Sequence, residues 1–432
     1  MKDIKAKKVI IYGAGGNCEG AVQYLQENSD FNIVGICDSD EKKHGVKICG
    51  ITVMSQEEII SKFGNDFYVY ISPFPPVREE IQLEIVNKGF VQQNQILNYL
   101  SCSSLESVAV IENGRILLCC DLAGIYNRAP YEEWGDSIDQ TIKNFVKKRD
   151  SYINTLNNFN EATPCTGCSA LCNNIWKKPR KIRSLALSLS YPCQLACIYC
   201  SLPTNTKNIG HNQKELEKAK SINIKELMDS LKIIGNFEPS EPIQLSGGEI
   251  TIAPSKDELL DAVSEYPLQI FTNAILFDER IAVLAARKDG SFLNISLDAG
   301  TKSTYAAVKG LDVFEEVIET LRRYKYAGSY MLLKYIILPE NCNKNDFDGF
   351  VKLAQELRPI SVSVSCDIRI KAIDLPKKII DGAVYLAGEL KSHNITTTIM
   401  PYFGEDNTNY IKEKMEKQKD GKTIGINCNT SI

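Results

Sequence analysis

From Ser184 onward the chain alternates short apolar, β-branched runs with helical stretches, and that alternation restricts the fold more than any other feature. The runs are SLALSLS, PIQLSG, LQIFTN, FLNISLD, YMLLKYIIL and SVSVSC, and the helical stretches lie near 223–235, 256–264, 278–287, 313–326, 346–356 and 376–390. Strands separated by helices pair in parallel, because a parallel neighbour needs a crossover long enough to hold a helix. Right-handed crossovers leave two arrangements, a doubly wound sheet or an incomplete barrel, and both carry their chemistry at the carboxyl ends of strands.

A second α/β region precedes this one. Residues 8–12 read as a strand, Gly13 to Gly16 as a turn and Glu19 to Gln26 as a helix; FNIVGIC then ends at Asp38, and FYVYIS and helices near 56–63 and 77–88 follow. The basic start superficially resembles a signal peptide, but its apolar stretch is short and runs into glycines without a cleavage site. Residues 103–180 differ: a strand pair turns at Asn113-Gly114, a polar helix follows near 136–158, and CTGCSALC closes the segment. So little apolar material would gain from a metal staple. The expected division is 1–102, 103–180, 181–404 and a polar tail, 405–432.

Composition narrows the function. The net charge of −4 disfavours a surface built for nucleic acid, and the basic run from Lys177 to Arg183 reads as a solvated linker. No apolar run approaches the ~20 residues that cross a bilayer. The expectation is a cytoplasmic protein, in which 15 cysteines are thiols and ligands rather than disulfides.

Cys193, Cys197 and Cys200 directly follow the first strand of the repeat. Three thiolates within eight residues can wrap an iron–sulfur cubane and leave its fourth iron without a protein ligand. Closed zinc sites want four ligands, usually in pairs, so this spacing favours iron. Ser246-Gly247-Gly248-Glu249 follows the second strand, where glycines let backbone approach a ligand.

CQLACIYC resembles the CxxxCxxC signature of the radical S-adenosylmethionine (SAM) superfamily, and SGGE resembles its methionine-binding motif. NISLDAGTKSTYAAVKG and LLKYIILPENCNKNDF resemble the fourth and fifth strand regions of the branch that carries auxiliary clusters. The resemblance implies a partial (β/α)6 barrel over 181–404 and a 4Fe-4S cluster on Cys193, Cys197 and Cys200, with SAM chelating its open iron. It further implies that a reductant such as flavodoxin or ferredoxin supplies one electron and that a 5′-deoxyadenosyl radical takes hydrogen from substrate. By the same resemblance Tyr199 lies by the adenine, and Gly247, Gly248 and Glu249 meet the methionine amino end. Asn273, Ser296, Asp298 and Lys334 sit at strand ends, for ribose or carboxylate contacts or for fold support.

Cys165, Cys168 and Cys172, with Cys119 or Cys120, supply four soft ligands for an auxiliary iron–sulfur cluster or a zinc ion. The GRILLCC hairpin and CxxCxxxC group resemble SPASM or twitch modules, here preceding the barrel instead of following it. At the amino end, Gly13, Gly15 and Gly16 stand where a glycine turn cradles a diphosphate, and Asp38 where a carboxylate takes a ribose hydroxyl. The third glycine of that pattern is replaced by Cys18. The region resembles the Rossmann-like domains at the front of nucleotide-sugar acetyltransferases and epimerases, which implies a nucleotide, a nucleotide-sugar or a docking role.

The leading expectation is an α/β radical enzyme acting on a small or carrier-linked substrate, a sugar or nucleotide-sugar, by oxidation or epimerisation. The alternatives are a peptide or protein maturase and a non-catalytic iron–sulfur or zinc protein. His44, His211 and His393 have no partner spacing and receive no role.

Overall fold

The computed structural model describes residues 6–26, 31–73, 77–92, 95–97, 100–112, 114–119, 130–156, 165, 172–173, 180–189, 192–200 and 222–417. They form two compact units. One comprises Met1–Val108, Leu118–Pro130 and Asn144–Lys181, the other Ala109–Leu117, Tyr131–Lys143 and Ile182–Ile432. The stretch 103–180 is thus shared between both units.

The first unit is built on a six-stranded sheet of β1 (Lys7–Tyr12), β2 (Phe31–Cys37), β3 (Lys47–Ile48), β4 (Ile51–Met54), β5 (Tyr68–Ile71) and β6 (Ile96–Leu97), in the order β3-β4-β2-β1-β5-β6. All neighbours are parallel except β3 and β4. Both faces are buried: Ile10, Tyr12, Val69 and Ile71 pack on one side, and Val9, Ile11, Ile36 and Tyr70 on the other. Continuous apolar strands are what a sheet covered on both sides requires. The order reverses at β1, and the turn from Gly13 to Gly16 lies at that strand's carboxyl end. Two short strands, β7 (Leu100–Ser101) and β11 (Cys172–Asn173), pair antiparallel elsewhere in the unit.

The second unit holds a ten-stranded sheet. The antiparallel set β8 (Val108–Glu112), β9 (Arg115–Leu117) and β10 (Tyr131–Glu133) adjoins seven strands that follow one another in sequence and in space. These are β12 (Ser184–Ser188), β13 (Ile243–Ser246), β14 (Leu268–Thr272), β15 (Phe292–Ser296), β16 (Met331–Ile337), β17 (Ser361–Cys366) and β18 (Thr397–Ile399), all parallel. Period-two alternation gives the sheet two unlike faces. Leu185, Leu187, Leu245, Ile270, Leu293, Ile295, Leu333 and Val362 are fully buried on one. The other carries Ser188, Gln244, Gln269, Asn294, Ser296, Lys334 and Ser363. Beyond β18, the helix Glu405–Lys417 is anchored by the buried Ile411, so the expected tail is ordered through 417; residues 418–432 lie outside the described set.

Candidate cofactor and substrate site

Cys193, Cys197 and Cys200 occupy the loop that leaves β12, all three partly exposed. Neighbouring loops fix that segment through backbone. Pro192 O accepts from Glu249 N (3.0 Å), while Ala196 N and Ile198 N donate to Lys309 O (2.9 Å) and Val308 O (3.0 Å). Asn273 Nδ2 donates to Cys193 Sγ (3.8 Å) and Gln194 Oε1 (3.0 Å), and Arg369 donates to Ile198 O (3.1 Å). Gly310, left-handed at φ 73°, lets the end of the helix Lys302–Lys309 come close: a Cβ there would lie 3.0 Å from Ala196 O.

Burial pushes the Cys193 thiol up to about 11 and raises Cys197 against the pull of Lys309, so ligation at neutral pH would release protons. Among the described residues no three Cys, His or carboxylate groups converge as a single ion requires. A cluster that takes one thiolate per iron makes no such demand, and three soft donors on one half-exposed loop fit it.

Gly247 is obligatory. Its φ is 105°, and a Cβ would lie 1.9 Å from Leu189 O. Glu249 is fully buried and turned into the scaffold. Oε1 accepts from Thr251 N (3.1 Å), Thr251 Oγ1 (2.7 Å) and Thr272 Oγ1 (2.8 Å), and Oε2 from Asn273 N (2.6 Å). Burial raises its carboxyl, and those donors oppose the rise. Its side-chain geometry is that of a brace between the ends of β13 and β14.

Tyr199 and Asp298 meet. The Tyr199 hydroxyl donates to Asp298 Oδ2 (2.5 Å), and Lys309 Nζ donates to both Asp298 Oδ2 (2.5 Å) and the Tyr199 oxygen (2.7 Å). Asp298 Oδ1 takes Ile336 N (2.7 Å). Lys309 and Asp298 are essentially inaccessible, at 1% and 0%. Burial pushes the Asp298 carboxyl up, but the Lys309 and Lys334 charges and the hydrogen bonds outweigh it and hold it below the ordinary carboxylate range. Burial raises the Tyr199 phenol, reinforced by Asp298. Tyr199 and Ile198 also pack on Val308, Ile336 and Leu338.

Ser296 and Lys334 stand in register, Ser296 at the end of β15 but Lys334 in the middle of β16 and not at a strand end as expected. Sequence reasoning singled out neither Lys309 nor Arg369. Lys309 sits inside a quoted stretch, next to Gly310, but only the fold reveals its partners. Of the second cysteine group, Cys119 and Cys165 are partly buried and Cys172 lies in β11, while Cys120 and Cys168 fall outside the described residues. In the first unit a Cβ on Gly15 or Gly16 would meet open space, whereas on Gly13 it would strike Pro73. Asp38 spends both oxygens locally: Oδ2 on Ala14 N (2.6 Å) and Lys43 Nζ (2.9 Å), Oδ1 on Asp40 N (2.9 Å).

Residues 187–354, which contain this whole loop, the end of β12 and β13 through β16, match the family model of the radical SAM superfamily. They form a radical SAM domain. A second model, C2185-like N-terminal, matches residues 5–97. The chain is similar to mycofactocin maturase MftC of Mycobacterium tuberculosis, 26% identical over 172 residues, 39% of this chain and 41% of that one. GTP 3',8-cyclase of Clostridium botulinum is 27% identical over 193 residues, 43% of this chain and 56% of that one. The chain therefore spans about two fifths to just over half of these relatives. The crystal structure of Streptococcus suis SuiB aligns with a TM-score of 0.40 at 14% identity, over 62% of this chain and 56% of that one.

Proposed function

We propose that the chain is a radical SAM enzyme: Cys193, Cys197 and Cys200 hold a 4Fe-4S cluster, and a one-electron reductant drives cleavage of SAM to a 5′-deoxyadenosyl radical that abstracts hydrogen from a polar substrate. The single observation that carries this reading is the loop of three soft donors, clamped by the Lys309–Gly310 turn within a radical SAM domain. When bound, the cluster would supply the electron and the open coordination position. The chain's own residues do the rest. Pro192, Lys309 and Val308 fix the loop, Gly247 keeps a Cβ out of the β12 end, and Tyr199 is pinned by Asp298 and Lys309. The seven parallel strands are read as a partial barrel whose polar face receives substrate. The first unit is read as Rossmann-like, with Gly15 and Gly16 open to a nucleotide or nucleotide-sugar and Asp38 holding the turn in shape. Cys165, Cys168, Cys172 and one of Cys119 and Cys120 are read as ligands of an auxiliary cluster, in a reducing cytoplasm.

The test is anaerobic reconstitution with dithionite. The protein should bind about four irons per filled site and release 5′-deoxyadenosine, and Cys197→Ala should abolish both at the first site. Zinc without iron at that trio would defeat the proposal. A second reading, peptide maturation, is favoured by the likeness to a mycofactocin maturase and opposed by the equal likeness to a cyclase of GTP. Mass shifts of peptides against nucleotide-sugars in the same incubations separate the two.

A further inference from the structure

The polar face of the large sheet carries two groups whose hydrogen-bonding capacity the fold does not use. Asn294 is 7% exposed, yet its Oδ1 has no partner among the described residues. Buried carbonyl oxygens are almost always paired, so one left open at the wall of a polar face needs a reason. Asn294 registers with Phe271 on one side and Leu332 on the other. Two residues further along the strands, Ser296, Lys334 and Ser363 stand in one row. Among the described residues the Lys334 side chain has no hydrogen bond or ion pair, although its backbone carbonyl accepts from Asp298 N (3.2 Å). The carboxylate beside it, Asp298, is already engaged by Lys309, Tyr199 and Ile336 N. Burial depresses the Lys334 ammonium, and Asp298 opposes that without contact. A mostly buried, uncompensated cation calls for an anion.

We propose that Lys334 and Asn294, framed by Ser296, Ser363, Phe271 and Leu332, form a recognition site for a small molecule or terminal group that carries a carboxylate or phosphoryl anion and, about 7 Å deeper along the strands, a hydroxyl or amine that donates to Asn294. The inference rests on the radical SAM reading only in naming this ligand the substrate. Lys334, on the row nearer the cysteine loop, takes the anion. Asn294, between an aromatic and an aliphatic side chain, takes the donor, and the two together fix which end of the molecule faces the loop.

An anion could also come from the carboxylate of SAM itself, and the experiment separates the sources. Calorimetric titration of the reconstituted protein with glucose, glucose 6-phosphate, gluconate and inorganic phosphate reads the site directly, while SAM affinity is read from the cluster's electron paramagnetic resonance. Either charged sugar should bind at least about tenfold tighter than glucose. Lys334→Met should erase that preference and Lys334→Arg should keep it. Asn294→Leu should weaken the charged sugars while leaving phosphate unchanged, and SAM affinity should stay within about threefold throughout. A wild-type protein without the preference overturns the proposal. So does a Lys334→Met variant that loses SAM affinity and keeps the sugar preference, because the cation would then serve the cofactor. Absence of 5′-deoxyadenosine from the same wild-type preparation would instead strike at the radical reading, and the calorimetric preference would still be decided independently.

Discussion

At Gly247 the backbone itself decides what is tolerated. Gly247→Ala would force a methyl group to within bonding range of Leu189 O at a φ that side chains avoid, so it should cost about 3 kcal/mol or more. Urea unfolding of the apo protein would measure it, and iron uptake should fall in parallel. Asp38 offers a pH test. Burial works against its charge, but the backbone N–H groups of Asp40 and Ala14 and the Lys43 ammonium hold its carboxyl below the ordinary range. A carboxylate depressed in the folded state lends stability that is fully present above about pH 4 and is lost as pH falls through the folded value. Dichroism between about pH 5 and pH 2 should show earlier acid loss in the wild type's advantage over Asp38→Asn, with the two converging at the acid end. Among residues, the cysteine trio was legible because its members are adjacent. Glu249 was legible as a motif but its direction was not, since Thr272 and Asn273 lie 23 and 24 positions downstream.

The end of the helix Lys302–Lys309 acts as an element, through two main-chain carbonyls and one charge. Lys309→Met would strand the buried Asp298 carboxylate and should cost about 3–5 kcal/mol. Tyr199→Phe removes one charge-assisted hydrogen bond and should cost about 2 kcal/mol. Because the three groups share one network, the double variant should lose less than the sum, and a double-mutant cycle on denaturation midpoints checks this. Lys309→Arg should restore iron retention against a chelator if charge, and not side-chain length, is what matters. Strand–helix alternation made the elements themselves readable from sequence. The triad was not, because Lys309 stands 110 residues from Tyr199 and no local periodicity links them.

At the scale of the molecule, each unit has its own buried core, so calorimetry should resolve two unfolding transitions. A Cys197→Ala variant, which loses only the first cluster, should lower the transition of the unit that contains Cys193 and leave the other in place; a single transition that shifts as a whole would contradict this. The sequence suggested a separate cysteine-rich module over 103–180, yet strands β8 to β10 extend the large sheet. Short strands such as VAVIE read alike whether they pair only with each other or also join a neighbouring sheet. The position of Glu249 bears on how such chains age. A side chain that rivets two strand ends is retained by selection for folding alone, whatever becomes of turnover. A descendant with no use for the cysteine loop would keep its acidic signature for the fold's sake and shed its thiols first, so the trio of sulfurs, and not the glycine-glycine-glutamate run, is the better gauge of whether the loop still holds a ligand.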